Sequence, residues 1–129
     1  MRIYVAAATR DLDNAKSMMR EAQKFGHTIT HDWTKSVRKN GRGDPNEVSQ
    51  EEIAMAAWED RQGVRKADLF ILLWNPHLLG GLIELGFALD RNIPCWIVGE
   101  PRWSVFYVLP GNPVRIFTWH RAVVELSGI

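Results

Sequence analysis

The chain has 129 residues, a formal net charge of +1 and 46% hydrophobic residues. A chain of this length buries roughly two-thirds of its unfolded surface, so it suits one compact domain, residues 1–129, without disulfides or a structural metal. The near-neutral charge argues against a nucleic-acid partner, because proteins that neutralise a phosphate backbone usually carry a basic face. The longest uncharged stretch, residues 69–83, contains Asn75, Pro76 and two glycines. It is shorter than the roughly 18 apolar residues of a membrane span.

Cysteine usage and the N-terminus bear on the cell compartment. Cys95 is the single cysteine, so it cannot form an internal disulfide, and no cysteines and histidines have the spacing of a zinc site. The N-terminus passes directly into strand-like sequence without the apolar stretch and cleavage site of an export signal. These features predict a protein of the reducing cytoplasm without a metal site.

The first third of the chain alternates strand and helix patterns. Residues 2–8 form a short apolar run, and the apolar residues that follow recur at spacings of three and four. This pattern predicts a strand that leads into a helix, which ends at Gly26. Residues 27–33 are short and β-branched and predict a second strand.

A polar segment separates these elements from the next helix. Residues 35–46 are rich in Gly, Arg and Lys, which favours a mobile loop. A helix is predicted over residues 49–66, where Ser49 and Glu52 have the spacing of a capping box.

The second half of the chain begins with its strongest strand. Residues 69–74 are continuously apolar, which suits a parallel strand covered on both faces. Gly80 and Gly81 predict a tight turn, and residues 82–90 predict a helix that is apolar on nearly every side and therefore mostly buried. Two further strands and a closing helix follow at residues 93–98, 114–117 and 119–126. The alternation predicts a single-domain α/β fold, with a doubly wound, mostly parallel five-stranded sheet and helices on both faces.

Glu84 is the one formal charge between Asp68 and Asp90. Burying an unpaired carboxylate is costly unless it takes up a proton, so the protein must solvate this charge. Its predicted place, in the first turn of a helix after a glycine turn, offers backbone N–H groups and the positive end of the helix dipole. Ligands of open α/β sheets bind at such strand-to-helix turns. We therefore interpret Glu84 as a candidate nucleophile; the alternative is a glutamate that merely favours a helix N-terminus.

Asp60 lies where an apolar residue is expected. It completes the i, i+4, i+7, i+11 series formed by Ile53, Ala57 and Val64. A partly buried carboxylate can hold a proton for donation, whereas Glu84 is placed to stay ionised, so the two suggest an acid and a nucleophile. The alternative for Asp60 is an ion pair with one of the basic residues at the helix end: Arg61, Arg65 or Lys66.

Tyr4 lies in the first strand, whose end should border the same crevice in a doubly wound sheet. Its hydroxyl could orient Glu84, and the alternative is a core tyrosine with a satisfied hydroxyl. The histidines have neither ligand spacing nor a nucleophile partner and are expected on the surface or in loops: His27, His31, His77 and His120. Among them His77 precedes the glycine pair and is the candidate for a site.

Several common signatures are absent from the sequence. The turn after the first strand lacks G-x-G-x-x-G, and no G-x-x-x-x-G-K-[ST] occurs, so neither a dinucleotide oxidoreductase nor a P-loop NTPase is supported. Ser104 and Ser127 lack a G-x-S-x-G setting, and Cys95 lies in a predicted buried strand. Serine or cysteine nucleophilic catalysis is therefore disfavoured.

Four segments, in order along the chain, resemble one enzyme family. Residues 80–89, GGLIELGFAL, resemble the G-x-x-x-E-[LI]-G-x-A block of nucleoside 2-deoxyribosyltransferases and related nucleotide N-glycosidases. Residues 60–68, DRQGVRKAD, are similar to the family's helix end, where a catalytic Asp stands three residues before a Gly and eight before the Asp that opens the central strand. Residues 3–5 resemble the first strand with its active-site tyrosine, and residues 26–33 resemble the second strand.

The resemblance implies a role for each of the three candidate residues. Glu84 would attack the anomeric carbon of a nucleoside or nucleotide, Asp60 would protonate the departing base or deprotonate the incoming one, and Tyr4 would position Glu84. No metal or organic cofactor is implied. The C1′–N bond breaks through an oxocarbenium-like state that a carboxylate can capture, as in retaining glycosidases.

The resemblance also implies substrate contacts, and at some positions this chain differs from the family's pattern. Many transferases carry a sugar-binding acid six residues before the nucleophile, where this chain has Leu78. In the N-glycosidases that act on monophosphates, hydroxyl residues and an arginine after the first strand hold phosphate, as Thr9 and Arg10 could. In this family a side chain from a neighbouring subunit often completes the site. Ser104 is the corresponding candidate here. The residues predicted to bind substrate are Ala6, Thr9, Arg10, His77, Gly80, Gly81 and Ser104.

The leading prediction is a 2′-deoxyribosyltransferase that exchanges bases through a deoxyribosyl-Glu84 intermediate. Hydrolysis of a nucleoside or its 5′-monophosphate is the alternative, and a nucleotide sensor or an NAD-cleaving TIR-like domain stays open. The expected partners are a nucleoside or nucleotide and a free base, with no nucleic-acid polymer and no membrane. The family, together with six tryptophans, predicts a homo-oligomer with shared sites, for which Trp103, Phe106 and Tyr107 are candidate interface residues.

Overall fold

The structure, a computed structural model, describes residues 1–37 and 49–129. In these ranges five parallel strands form one sheet in the order β2-β1-β3-β4-β5. The strands are β1 (Arg2–Ala6), β2 (Thr28–Ile29), β3 (Leu69–Leu73), β4 (Cys95–Val98) and β5 (Arg115–Phe117). The helices are α1 (Leu12–Lys24), α2 (Gln50–Arg65), α3 (Gly80–Asp90) and α4 (Trp119–Ser127). The predicted five-stranded, doubly wound α/β fold is confirmed.

The core of the molecule is the sheet with helices over it. Helix α1 packs against α4, and α2 packs against α3. Every residue of β3 and β4 is buried, which explains why both strands are continuously apolar. The chain reverses its direction across the sheet between β1 and β3, where Ile3 pairs with Leu69. The carboxyl ends of two such strands diverge into a crevice, the usual ligand site of this architecture.

The second strand is shorter than its sequence pattern predicts. The pattern covers residues 27–33, whereas only Thr28–Ile29 pair with β1. The chain leaves the sheet because Asp32 accepts a hydrogen bond from the backbone N–H of Thr34 at 3.0 Å and caps a 3-10 turn over Trp33–Ser36. The indole of Trp33 donates to the carbonyl of Val5 at 2.7 Å, so the departing segment stays packed against β1.

The start of α2 agrees with the sequence. The Ser49 hydroxyl accepts a hydrogen bond from the backbone N–H of Glu52 at 3.1 Å, which confirms the Ser49 part of the predicted capping box. Of the loop predicted over residues 35–46, the part from residue 38 onward lies outside the described residues. Within the described ranges, none of the helices is long and apolar enough to cross a membrane.

Helix α3 differs from its prediction in two respects. Gly80 and Gly81 do not form a turn before the helix but are its first two residues. The helix is also not mostly buried, because it belongs to an outer layer and only one of its faces lies on the sheet. The opposite side exposes three large apolar residues by 37–54%: Leu82, Ile83 and Phe87.

Candidate active site

A cavity of about 390 Å³ lies at the carboxyl end of β1, beside the start of α3. Tyr4 of β1, Asp60 of α2 and Glu84 of α3 all line it. We call it the carboxylate cavity. The fold thus brings together, from three separate elements, the three residues that the sequence singles out.

Tyr4 and Glu84 are in direct contact. The Tyr4 hydroxyl donates a hydrogen bond to Oε2 of Glu84. The tyrosine side chain is fully buried, and its ring stacks on Phe70 with a centroid separation of 5.9 Å and an interplanar angle of 6°. Because the ring cannot turn freely, the hydroxyl is a fixed donor that orients the carboxylate.

The position of Glu84 in α3 corrects one sequence argument. Since the helix begins at Gly80, Glu84 lies in the second turn and not in the first. The field of a helix end falls off within about one turn, so the helix dipole does not account for this carboxylate. One donor that the structure provides to this carboxylate is the Tyr4 hydroxyl of β1.

Asp60 has a histidine neighbour that the sequence analysis missed. His31 Nε2 lies 3.3 Å from Asp60 Oδ1 and 3.9 Å from Glu59 Oε2. His31 lies in the irregular segment after β2, as expected of a loop residue, but the sequence did not predict its two carboxylate neighbours. One signal could have found this contact. His31 lies two residues after the end of β2, the strand beside β1, and the carboxyl ends of adjacent parallel strands meet at one edge of a sheet.

The apolar series around Asp60 marks the border between core and cavity. Val64 is fully buried in the core, whereas Ile53 and Ala57 line the carboxylate cavity together with Asp60. The series is therefore not a continuous core stripe. Asp60, with 22% of its side chain exposed, lies where the core ends and the cavity begins.

Gly63 allows α2 to approach both groups closely. A Cβ atom at this position would lie 2.7 Å from the Cβ of His31 and 2.9 Å from two ring carbons of Tyr4. Real Cβ contacts are essentially never that short. A larger residue would push α2, and Asp60 with it, away from the rest of the cavity.

The residues predicted to bind substrate divide into two groups. Four of them line the carboxylate cavity: Thr9, His77, Gly80 and Gly81. Three do not. Ala6 is fully buried at the end of β1, Arg10 is exposed outside the cavity wall, and Ser104 lines a different hollow, where its hydroxyl accepts a hydrogen bond from the backbone N–H of Phe106 at 3.3 Å.

Asn75 fixes the loop that carries His77. Its side-chain N–H donates to Oδ2 of Asp11 at 3.0 Å, and its side-chain oxygen accepts from the backbone N–H of His77 at 2.8 Å. The first bond ties the loop after β3 to the turn after β1, so both walls of the crevice are joined. Sequence reasoning noted Asn75 only as a polar residue within the longest uncharged stretch, although an Asn that is followed by Pro is typical of such a turn.

A larger hollow of about 940 Å³, which we call the groove, lies between α3 and residues 102–110. Leu78, Trp103, Ser104, Phe106 and Tyr107 line it, and Trp103 is 73% exposed. Burial raises the pKa of the Tyr107 phenol above its usual value.

A third hollow of about 590 Å³, the outer cavity, lies on the far side of Asp60 and Glu84. Its apolar rim is formed by Trp58, Ile83 and Phe87, all of which are at least one-third exposed. The two carboxylates therefore lie between the carboxylate cavity and an exposed apolar surface.

Two other kinds of site are a cysteine nucleophile and a metal centre. Burial raises the pKa of the Cys95 thiol to about 12, so this cysteine stays protonated and unreactive at neutral pH. In residues 1–37 and 49–129, no three side chains of His, Cys, Asp or Glu come together in a group that could hold a metal ion.

The fold has counterparts among solved structures. A CMP N-glycosidase of Clostridium botulinum is similar over 100% of both chains, with a TM-score of 0.65 and 14% sequence identity. A 2-deoxyribosyltransferase of Bacillus psychrosaccharolyticus is similar over 100% of this chain and 92% of its own, with a TM-score of 0.74 and 14% identity. This chain shares their fold. The two neighbours are the two kinds of enzyme that the sequence motifs resemble, although no family model and no curated protein matches the sequence.

Proposed function

We propose that this protein is a nucleoside 2′-deoxyribosyltransferase that cleaves an N-glycosidic bond through a covalent glycosyl-Glu84 intermediate. The observation that carries the proposal is the Tyr4 hydroxyl bonded to Glu84 inside a cavity that also contains Asp60. A nucleophile oriented by a fixed donor, with a second carboxyl group in the same cavity, is the arrangement that glycosyl transfer requires. The similarity to the two solved enzymes supports the general class.

The reaction has two steps, each using both carboxyl groups. In the first, a Glu84 oxygen bonds to C1′ as the C1′–N bond breaks, and the electron pair of that bond stays on the base nitrogen, which takes a proton from Asp60. In the second, Asp60 removes a proton from the incoming base, whose nitrogen attacks C1′ and displaces Glu84. Two inversions give net retention at C1′.

Hydrolysis of a nucleoside 5′-monophosphate is the second candidate, favoured by two observations. Leu78 stands where many of the transferases have a sugar-binding acid, and its buried side chain packs beside Gly81 and lines the groove instead. Thr9, by contrast, places a hydroxyl residue in the wall of the carboxylate cavity, where it could bind a phosphate oxygen. In this reaction water would take the place of the second base.

We further propose that the protein is a homo-oligomer in which a second subunit closes the site. The exposed apolar rim of the outer cavity adjoins both carboxylates, and such a patch is typical of an interface. Ser104 lines the groove and not the carboxylate cavity of its own chain, so any contact with substrate would be made in the cavity of a second subunit.

The test is incubation of the purified protein with deoxynucleosides and with deoxynucleoside 5′-monophosphates, each with and without a different free base, followed by product separation. Exchange that requires the added base indicates a transferase. Release of free sugar, or of sugar 5-phosphate from a monophosphate, without exchange indicates a hydrolase. Mass spectrometry of the quenched protein should detect Glu84 bearing the sugar.

Glu84→Gln is the decisive variant. It should lower the rate at least about a thousandfold, because an amide cannot form the glycosyl ester. Glu100→Gln, at an exposed glutamate outside the cavity, is the matched control and should behave as wild type. Full activity of Glu84→Gln would refute the mechanism.

A further inference from the structure

His31 lies against the proposed acid but belongs to a different element. Its Nε2 atom is buried and forms no aligned hydrogen bond with the described residues, while Asp60 Oδ1 lies 3.3 Å away. Catalytic hydrogen bonds are often long or poorly aligned in a free enzyme and tighten when the substrate binds. The nearby carboxyl oxygen is therefore the natural acceptor for an Nε2–H.

The backbone next to His31 is hydrogen-bonded to both β1 and α2. The neighbouring Thr30 donates its backbone N–H to the carbonyl of Ile3 at 3.0 Å and its hydroxyl to the carbonyl of Gly63 at 2.7 Å. Gly63 in turn lies three residues after Asp60 and lets α2 pack directly on His31. The backbone next to His31 is thus held to both the sheet and α2, which keeps the imidazole beside Asp60.

We propose that His31 is a positioning residue for Asp60, an inference that rests on the proposed acid role of Asp60. His31 donates its Nε2–H to Oδ1, and the proton that is transferred is carried on Oδ2. When the C1′–N bond breaks, that proton moves from Oδ2 to the base nitrogen, and the resulting carboxylate keeps the hydrogen bond from His31. His31 loses no proton in either step.

Kinetics of two substitutions test this role. His31→Leu removes the donor and should lower kcat about 10-fold to 100-fold with little change in KM. His31→Gln restores an N–H donor at a similar reach and should stay within about 3-fold of wild type. Glu59→Gln is the matched control and should leave kcat unchanged. Glu59 also lies beside His31, but it is farther from His31 than Asp60 is.

The leaving group separates positioning from general damage to the fold. A 7-methylguanine nucleoside carries a cationic base that departs without taking up a proton, so wild type and His31→Leu should cleave it at rates within about 3-fold of each other. An equal loss on this substrate and on the ordinary one would overturn the proposal, as would full activity of His31→Leu on the ordinary one.

A spectroscopic measurement tests the contact without turnover. Nitrogen-15 shifts of the neutral imidazole should show the proton on Nε2 in wild type and in Glu59→Gln, and a mixture of tautomers in Asp60→Ala. A proton on Nδ1 in the wild-type protein would overturn the inference. A wild-type protein that cleaves no nucleoside or nucleotide would instead refute the proposed function, and the tautomer would still decide the pairing.

Discussion

The carboxylate cavity and the groove lie on either side of α3 and differ in both size and chemistry. The groove, at about 940 Å³, is more than twice as large as the carboxylate cavity at about 390 Å³, and its wall includes the exposed rings of Trp103 and Phe106. The smaller cavity contains the Tyr4–Glu84 hydrogen bond and Asp60. Volume alone would therefore select the groove, whereas convergent side chains from three elements select the carboxylate cavity as the candidate active site.

Topology explains the difference. The carboxylate cavity lies at the ends of β1 and β3, where the strand order reverses and the two chain directions diverge. The groove lies beyond β3, where the chain continues in one direction through β4 and β5. It is bounded by α3 and residues 102–110, and its mostly apolar wall suits association better than chemistry.

The largest effect on stability is expected from Gly63→Ala, which should damage the carboxylate cavity. The new methyl group would lie within 3 Å of both His31 and Tyr4, so α2 must shift. We expect a loss of about 1–3 kcal/mol in the free energy of unfolding, measured by urea denaturation, together with at least a roughly tenfold loss of kcat.

Gly86→Ala, in the groove-facing wall of α3, is the matched control. A Cβ there meets no atom within 4 Å, so the helix should gain about 0.5–1 kcal/mol from the better helix former. Equal stability of the two variants would contradict the close packing at Gly63.

The two tyrosines of the chain offer a second comparison. Tyr4→Phe removes the donor to Glu84 and should lower kcat about 10-fold to 100-fold, because the fixed hydroxyl orients the nucleophile. Tyr107→Phe makes the same chemical change in the groove and should leave kcat unchanged. A larger loss in steady-state assays for Tyr107→Phe would assign the chemistry to the groove.

The smallest effect on the single chain is expected from Trp103→Ser combined with Phe106→Ser. Both side chains are more than 60% exposed, so the free energy of unfolding of one subunit should change by no more than about 0.5 kcal/mol. Association should weaken if these rings form an interface, which sedimentation velocity at micromolar concentration would measure. Val124→Ser, at an exposed valine of α4, is the control. A wild-type protein that sediments as a monomer would contradict the proposed oligomer.

The features that sequence reasoning found are those with a local signal. Glu84 stands alone in an apolar segment and Asp60 interrupts an apolar series, so each is conspicuous within its own element. The strand and helix alternation likewise predicts the parallel sheet. Tyr4 needed the further step of placing the end of β1 beside the same crevice. The structure brings these residues into one cavity, and their catalytic roles stay predictions.

The features that it missed depend on contacts between distant elements. His31 gains its significance from Asp60, and their approach depends on the absence of a side chain at Gly63. The exposed side of α3 was missed because an apolar pattern does not show which face of a helix lacks a neighbour. The position of Ser104 in the groove depends on the path of a loop that no periodicity describes.

The strand order also has a consequence for how the protein is made. β1, which carries Tyr4, pairs with β2 and with β3. Its residue Ile3 must therefore pair with Leu69, which lies far from it along the chain. At typical synthesis rates of about 5–20 residues per second, several seconds separate the emergence of these two segments from the ribosome. Non-local parallel pairing of this kind is also slow in an isolated chain. During that interval the nascent polypeptide exposes an apolar strand without its central neighbour, which makes early binding by a chaperone advantageous.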